Sequence, residues 1–139
     1  MKKIIVLAFI SFCTTCFSQT MVADDIIGKY MSENNEGLIE VFKRGTKYCG
    51  KLIWNKKEGT LDKNNPNPNE RLKPIRGKEI LKDFVFDGTD EWEDGLIYDP
   101  KNGKTYSCVI TREANGNLSV RGYIGISLIG RSTYWHKVK

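Results

Sequence analysis

The residues of this chain with the reactivity for catalysis are few. A nucleophilic cysteine needs a base or another activating group beside it. Cys49 could look only to the one histidine, His136, which stands next to a lysine near the end of the chain with no evident partner. Glu91 and Glu93 share a strand face, as a pair of glycosidase carboxylates would. They sit, however, in a dense acidic stretch with Asp83, Asp87, Asp90, Asp94 and Asp99, which reads as solvated charge. The segment from Gly125 to Ser132 has nearly the spacing of a phosphate-binding loop. Such a loop requires lysine where Arg131 stands and a helix whose N-terminus faces the anion. The short tail after Ser132 alternates like a strand, so the glycines read as a bend before a last strand.

Metal chemistry is no better furnished. Isolated cysteines and a single histidine make no zinc pattern. Asp62, Asn64, Asn65, Asn67 and Asn69 offer oxygens, but they lack the glycine and terminal glutamate of a calcium loop, and asparagines in such numbers build turns. The expectation is therefore no catalytic residue, no metal, no cofactor and no enzyme.

The elements that would position any site are read from the ends inward. Met1-Lys2-Lys3, the apolar run Ile4 to Ile10 and the small polar stretch to Gln19 form the three-part layout of a secretory signal, too short to span a bilayer. The expectation is a signal peptide over 1–19 and one domain over 20–139, exported to the periplasm or beyond, with no membrane span after cleavage. Cys16 could carry a lipid anchor, but Cys13-Thr14-Thr15 ahead of it departs from the small and leucine-like residues that lipidation prefers. Formal charge is +5, or 5 − 2 = +3 without Lys2 and Lys3, too mild to imply nucleic acid. A basic stretch, Lys43 to Lys57, balances the acidic one.

Within the mature chain, short strand-like runs alternate with turn signals. Leu38 to Phe42 and Tyr48 to Trp54 flank Lys43-Arg44-Gly45 as a hairpin, and Leu96 to Tyr98 and Thr105 to Ile110 flank Asp99-Pro100-Lys101-Asn102-Gly103. Strands Leu118 to Ile124 and Ser132 to Val138 complete a meander, which predicts an all-β sandwich or barrel. Asp24 to Gly28 reads as one capped helical turn. Asn55 to Pro74, with Pro66, Pro68 and Pro74, reads as a long loop that could cover one mouth of the barrel. Alternation puts Leu118, Val120, Gly122 and Ile124 on the core side, opposite Ser119, Arg121 and Tyr123. It also groups Tyr48, Leu52 and Trp54 against Cys49, Lys51 and Ile53, which predicts that Cys49 is not deeply buried.

An ordered set of short motifs adds a family likeness: Gly28-x-Tyr30, Cys49-Gly50-Lys51-Leu52-Ile53-Trp54, Asp62-x-x-Asn65-Pro66, Arg71-x-x-Pro74-x-x-Gly77, Gly95-x-Ile97-Tyr98-Asp99-Pro100, Gly103-Lys104-Thr105-Tyr106, Val120-Arg121-Gly122-Tyr123, and Gly130-Arg131 with Trp135. The set resembles the exported bacterial domain-of-unknown-function family 2147 over nearly the whole mature chain. That resemblance implies a single antiparallel lipocalin-like (calycin-type) barrel of about eight strands. In such barrels an aromatic residue of the first strand packs across the closed end and meets a cation from the last strand, a structural role that would fall to Gly28, Tyr30 and Lys137. Family members often have tryptophan where Tyr30 stands. Many have a cysteine where Arg76 stands, so the family's disulfide partner for Cys49 is missing; together with the opposite faces of Cys49 and Cys108 this predicts two free thiols.

An eight-stranded barrel is just wide enough to be filled by side chains or to hold one small ligand. The leading expectation is an exported binding protein for a small, partly apolar or amphipathic ligand. Trp54, Trp92, Tyr98 and Tyr106 would form apolar walls, and Arg121 or Arg131 would hold an anionic head group. The alternative is an envelope interaction or structural module with a filled barrel.

Overall fold

The computed structural model describes residues 20–126 and 130–139. The expected signal peptide and the Cys16 anchor lie outside the described residues. After a 3-10 turn, Ala23–Ile26, the chain runs through β1 (Gly28–Met31), β2 (Gly37–Arg44), β3 (Lys47–Asn55), β4 (Glu79–Phe86), β5 (Glu91–Asp99), β6 (Lys104–Arg112), β7 (Leu118–Tyr123) and β8 (Gly130–Val138). Each strand pairs antiparallel with its neighbour in sequence, and β8 returns to β1 through Tyr30 opposite Lys137, so the sheet closes into a barrel with no free edge. No helix among the described residues is long and apolar enough to cross a membrane.

Period-two patterning explains most of the wall. In β2, Ile39 and Val41 are buried between half-buried Leu38, Glu40 and Phe42; in β7, Leu118 and Val120 are buried and Ser119 and Arg121 are not. β7 ends at Tyr123, so Ile124, expected as a core strand residue, lies in the following connection with 71% of its surface exposed.

Where the period breaks, bulges bend the sheet. Leu38 faces Trp54 but Ile39 faces Leu52, so Ile53 is an extra residue that turns Trp54 outward. On β4 and β5, Asp83 and Asp94 adopt φ of 60° and 61° on either side of the site where Phe84 lies across Gly95. A Cβ on Gly95 would stand 2.4 Å from two ring atoms of Phe84, so the close approach of that ring requires glycine.

An up-and-down barrel has two ends. The termini and the β2–β3, β4–β5 and β6–β7 connections lie at one, and the β1–β2, β3–β4, β5–β6 and β7–β8 connections at the other. The first end is closed and filled. Tyr30 and Trp92 are fully buried there; the Tyr30 hydroxyl donates to the Ile26 carbonyl at 2.8 Å, and the Trp92 indole N–H donates to the Ala23 carbonyl at 3.1 Å. The N-terminal turn is thus a plug, bonded to the barrel by its otherwise orphaned carbonyls.

Cys49 departs from expectation. It lies on the outer side of the wall, beside Glu79 and Arg44, yet only 1% of it is exposed, while Cys108 belongs to the interior cluster. The two thiols are free and burial pushes both upward, Cys108 to about 12. In the folded protein near pH 8 both should resist a thiol reagent, and after denaturation without reductant peptide mapping should find both labelled. Recovery of Cys49 and Cys108 as one crosslinked peptide would refute the face assignment.

Candidate functional site

The open half of the barrel is a cavity of about 1450 Å³ that continues to the mouth. Alternation along β8 aims Arg131, Thr133 and Trp135 into it in succession, with Arg131 at the rim and Trp135 toward the filled half. Ile39, Leu52, Ile80, Ile97 and Val120 supply apolar wall. Gly122 widens the upper part: its missing side chain would sit 3.5 Å from Ile97 and 3.6 Å from Tyr106, ordinary contact distances.

Of the residues expected to form a site, the structure gathers three at the cavity and separates three from it. Tyr98, Tyr106 and Arg131 line it. Trp54 stands on the outer wall with 37% exposure because of the bulge at Ile53. Trp92 does point inward, but into the filled half, where its ring packs 4.7 Å from that of Phe86. Arg121 stays on the outer face, its guanidinium donating to the Ser132 hydroxyl at 3.1 Å. The Tyr106 hydroxyl accepts from the Asn102 amide at 2.8 Å, and Arg131 makes no ion pair among the described residues.

Residues 56–78 border one side of the mouth, and the long segment is built around a buried carboxylate. Asp62, fully buried, accepts from the Tyr98 hydroxyl at 2.6 Å, from the Asn65 amide at 2.7 Å and from the Lys78 ammonium at 2.8 Å. Lys78 also reaches Glu70 at 3.1 Å, and Arg71 donates to the Asn65 carbonyl at 2.7 Å. Leu61 bridges to Pro74, and the Asn64 amide crosses to the carbonyl of Lys101 at 2.9 Å on the β5–β6 turn. Burial alone would raise the Asp62 carboxyl; hydrogen bonds from Lys78, Tyr98 and Asn65 outweigh it and hold it below its ordinary value of 3.8. Tyr98 is pushed up to about 12, by burial first and then by its bond to Asp62. Tyr98 therefore serves less as apolar wall than as the post to which the loop is fastened, and it borders both the cavity and an outer groove beneath the loop.

Sequence reasoning treated Asp62 as a turn residue and passed over Lys78. The available signal was the spacing Asp62-x-x-Asn65-Pro66, in which aspartate and asparagine three apart can bond each other across a turn. At the opposite end, Asp87, Glu91 and Glu93 bring carboxylate oxygens within 4.8 Å of one another on the surface, far from the cavity. At that end too, the Lys137 ammonium lies 6.0 Å from the centre of the Tyr30 ring.

In fold, the chain is similar to protein HP1028 from the human pathogen Helicobacter pylori, described as belonging to the lipocalin family. The two are 24% identical, the match covers 82% of this chain and 83% of that one, and the TM-score is 0.76. No curated protein matches by sequence. The lipocalin-like barrel expected from the ordered motifs is borne out, and the sequence matches over residues 28–137, nearly the whole barrel, the family described as "Uncharacterized protein conserved in bacteria (DUF2147)", to which the chain belongs.

Proposed function

We propose that this chain is an exported, non-catalytic binding protein that holds one small, partly apolar ligand in the open half of its barrel. The observation that carries this reading is the cavity of about 1450 Å³, walled by aliphatic side chains and open at one mouth. Small-molecule sites commonly have such mostly apolar walls with a few placed polar groups. Arg131, at the rim and without an ion pair among the described residues, is the group to meet an anionic head, and Tyr106 offers a hydroxyl nearby. The filled-barrel alternative draws no support from an interior packed only in its closed half. Export rests on the layout of the first nineteen residues. The closed end, with Gly28, Tyr30 and Lys137, serves stability.

Native mass spectrometry of protein purified gently from its own cells should find a retained small molecule. Gly122→Phe tests the site directly, because this position has an ordinary strand backbone and its side chain would project into the cavity. The variant should keep the far-ultraviolet spectrum of the parent and lose binding of anilinonaphthalene sulfonate by about tenfold or more. Arg131→Gln should weaken that sulfonate probe by about tenfold while sparing an uncharged naphthalene analogue. A folded Gly122→Phe protein that binds the probe like the parent would place the site elsewhere.

A further inference from the structure

We propose that the open end of the barrel docks on an anionic lipid surface, with Ile124 and Ile126 entering the boundary between head groups and acyl chains and the lysines of the mouth facing the lipid phosphates. In the β7–β8 connection the Ile126 N–H donates to the Ile124 carbonyl at 3.1 Å, and the two side chains are 71% and 58% exposed. Two large aliphatic side chains this exposed, two positions apart in one connection, leave apolar surface at the mouth that burial in a lipid boundary would remove from water.

Charge indicates which partner. The described connections at the open end, residues 32–36, 56–78, 100–103 and 124–126, contain eight Lys or Arg against five Asp or Glu. Those at the closed end, 20–27, 45–46, 87–90 and 113–117, contain five Asp or Glu and no Lys or Arg; Lys139 follows β8 there. The connections are therefore more positive at the mouth than at the closed end, where Lys43, Arg44, Lys47, Arg112 and Lys137 on the strand ends offset the acids. Four of these five acids already hold cations: Glu36 pairs with Lys101, Glu58 with Arg76, Asp62 with Lys78, and Glu70 with Lys73 and Lys78. Lys56, Lys57 and Lys63 line the same mouth as Ile124, with Glu33 as the other acid of these connections at the rim. Exposed apolar residues ringed by lysines are the combination that binds anionic bilayers. Positive charge at the mouth draws it toward such a surface before contact.

The proposal goes beyond ligand binding, and vesicles test it with no ligand added. Co-sedimentation is measured with extruded vesicles of phosphatidylcholine alone and with about one-third phosphatidylglycerol. The protein should partition at least about fivefold more strongly onto the anionic vesicles, and the preference should fade as salt is raised. Ile124→Ser/Ile126→Ser should reduce binding by about tenfold. Lys56→Gln/Lys57→Gln should reduce it by about tenfold on anionic vesicles alone. Val22→Ser, which removes an equally exposed apolar side chain at the opposite end, should change nothing. An apolar N-terminal run, where retained, would bind both compositions and respond to neither pair. Equal binding to the two compositions, or paired variants that bind like the parent, would overturn the proposal. So would a mouth that captures a protein while ignoring vesicles. Probe uptake in vesicle-free solution tests the cavity separately, so either reading can fail without the other.

Discussion

Replacing Asp62 with alanine is expected to cost the protein about 3–5 kcal/mol and to release residues 56–78 from the barrel mouth, because breaking a buried ion pair strands the remaining charge. Asp62 is fully buried and the Lys78 side chain is only 15% exposed, so the lysine left behind would keep Glu70 but lose its inner partner, and the Tyr98 hydroxyl would lose its acceptor. Urea unfolding gives the cost, and hydrogen exchange gives the location: amides of Leu61 to Lys78 should exchange early while those of β6 and β7 stay protected. Lys78→Met added to Asp62→Ala should recover part of the loss, since it removes the stranded charge. Exchange in 56–78 that is unchanged in Asp62→Ala would mean that Asn64 and the Leu61–Pro74 bridge hold the loop without the carboxylate.

The same clamp fixes a pH dependence. The Asp62 carboxyl lies below 3.8 in the folded chain, so its contribution is complete above that value and is lost as pH falls through the lower, folded value. Lys78 is shifted the other way. Burial would lower it, but Asp62 and Glu70 prevail and raise it above 10.5, so its contribution is complete below that value and fades only as pH rises past the folded one. Between roughly pH 5 and pH 10 the stability difference between the parent and Asp62→Ala should therefore be flat, and it should shrink in acid.

How much of this was legible in the sequence depended on where the period of two survives. The β2–β3, β5–β6 and β7–β8 hairpins announce themselves because short runs of strand-forming residues, such as Leu38 to Phe42, Tyr106 to Ile110 and Leu118 to Tyr123, are bounded by glycine or asparagine turns. β4 does not, because Ile80 and Leu81 are both buried and Asp83 in the left-handed region resets the phase before Phe84. One extra residue at Ile53 was enough to move Trp54 from the expected cavity wall to the outside, since a shift of one position exchanges the faces. Depth along the barrel was equally hidden: Trp92 and Trp135 both point inward, and only closure of the barrel puts one in the filled half and the other beside the cavity. The burial of Asp62 was illegible for a different reason. Its partners Lys78 and Tyr98 lie 16 and 36 positions away, and nothing local distinguishes a carboxylate that will be enclosed from one that caps a turn.

At the other end of the barrel the expected effects fall on stability and spare binding. Tyr30→Ala should cost about 3–5 kcal/mol, the range for truncating a large buried aromatic side chain, because Tyr30 is fully enclosed in the core. Tyr30→Phe keeps the ring and removes only the hydroxyl, leaving the Ile26 carbonyl without its 2.8 Å donor, so a cost of about 1–3 kcal/mol is expected. Lys137→Met should have the smallest effect of the three, since its ammonium stands 6.0 Å from the Tyr30 ring centre on an exposed residue. Urea midpoints rank the variants, and probe titration below each unfolding transition compares their binding. Tyr30 does not line the cavity, so probe affinity should match that of the parent in every variant that is folded at the temperature used. If Lys137→Met costs more than Tyr30→Phe, the cation and not the plug formed by Ala23–Ile26 holds the closed end. If Tyr30→Ala weakens the probe in fully folded protein, the two halves are coupled through Trp135, the buried side chain that lines the cavity and also packs in the core cluster with Tyr30.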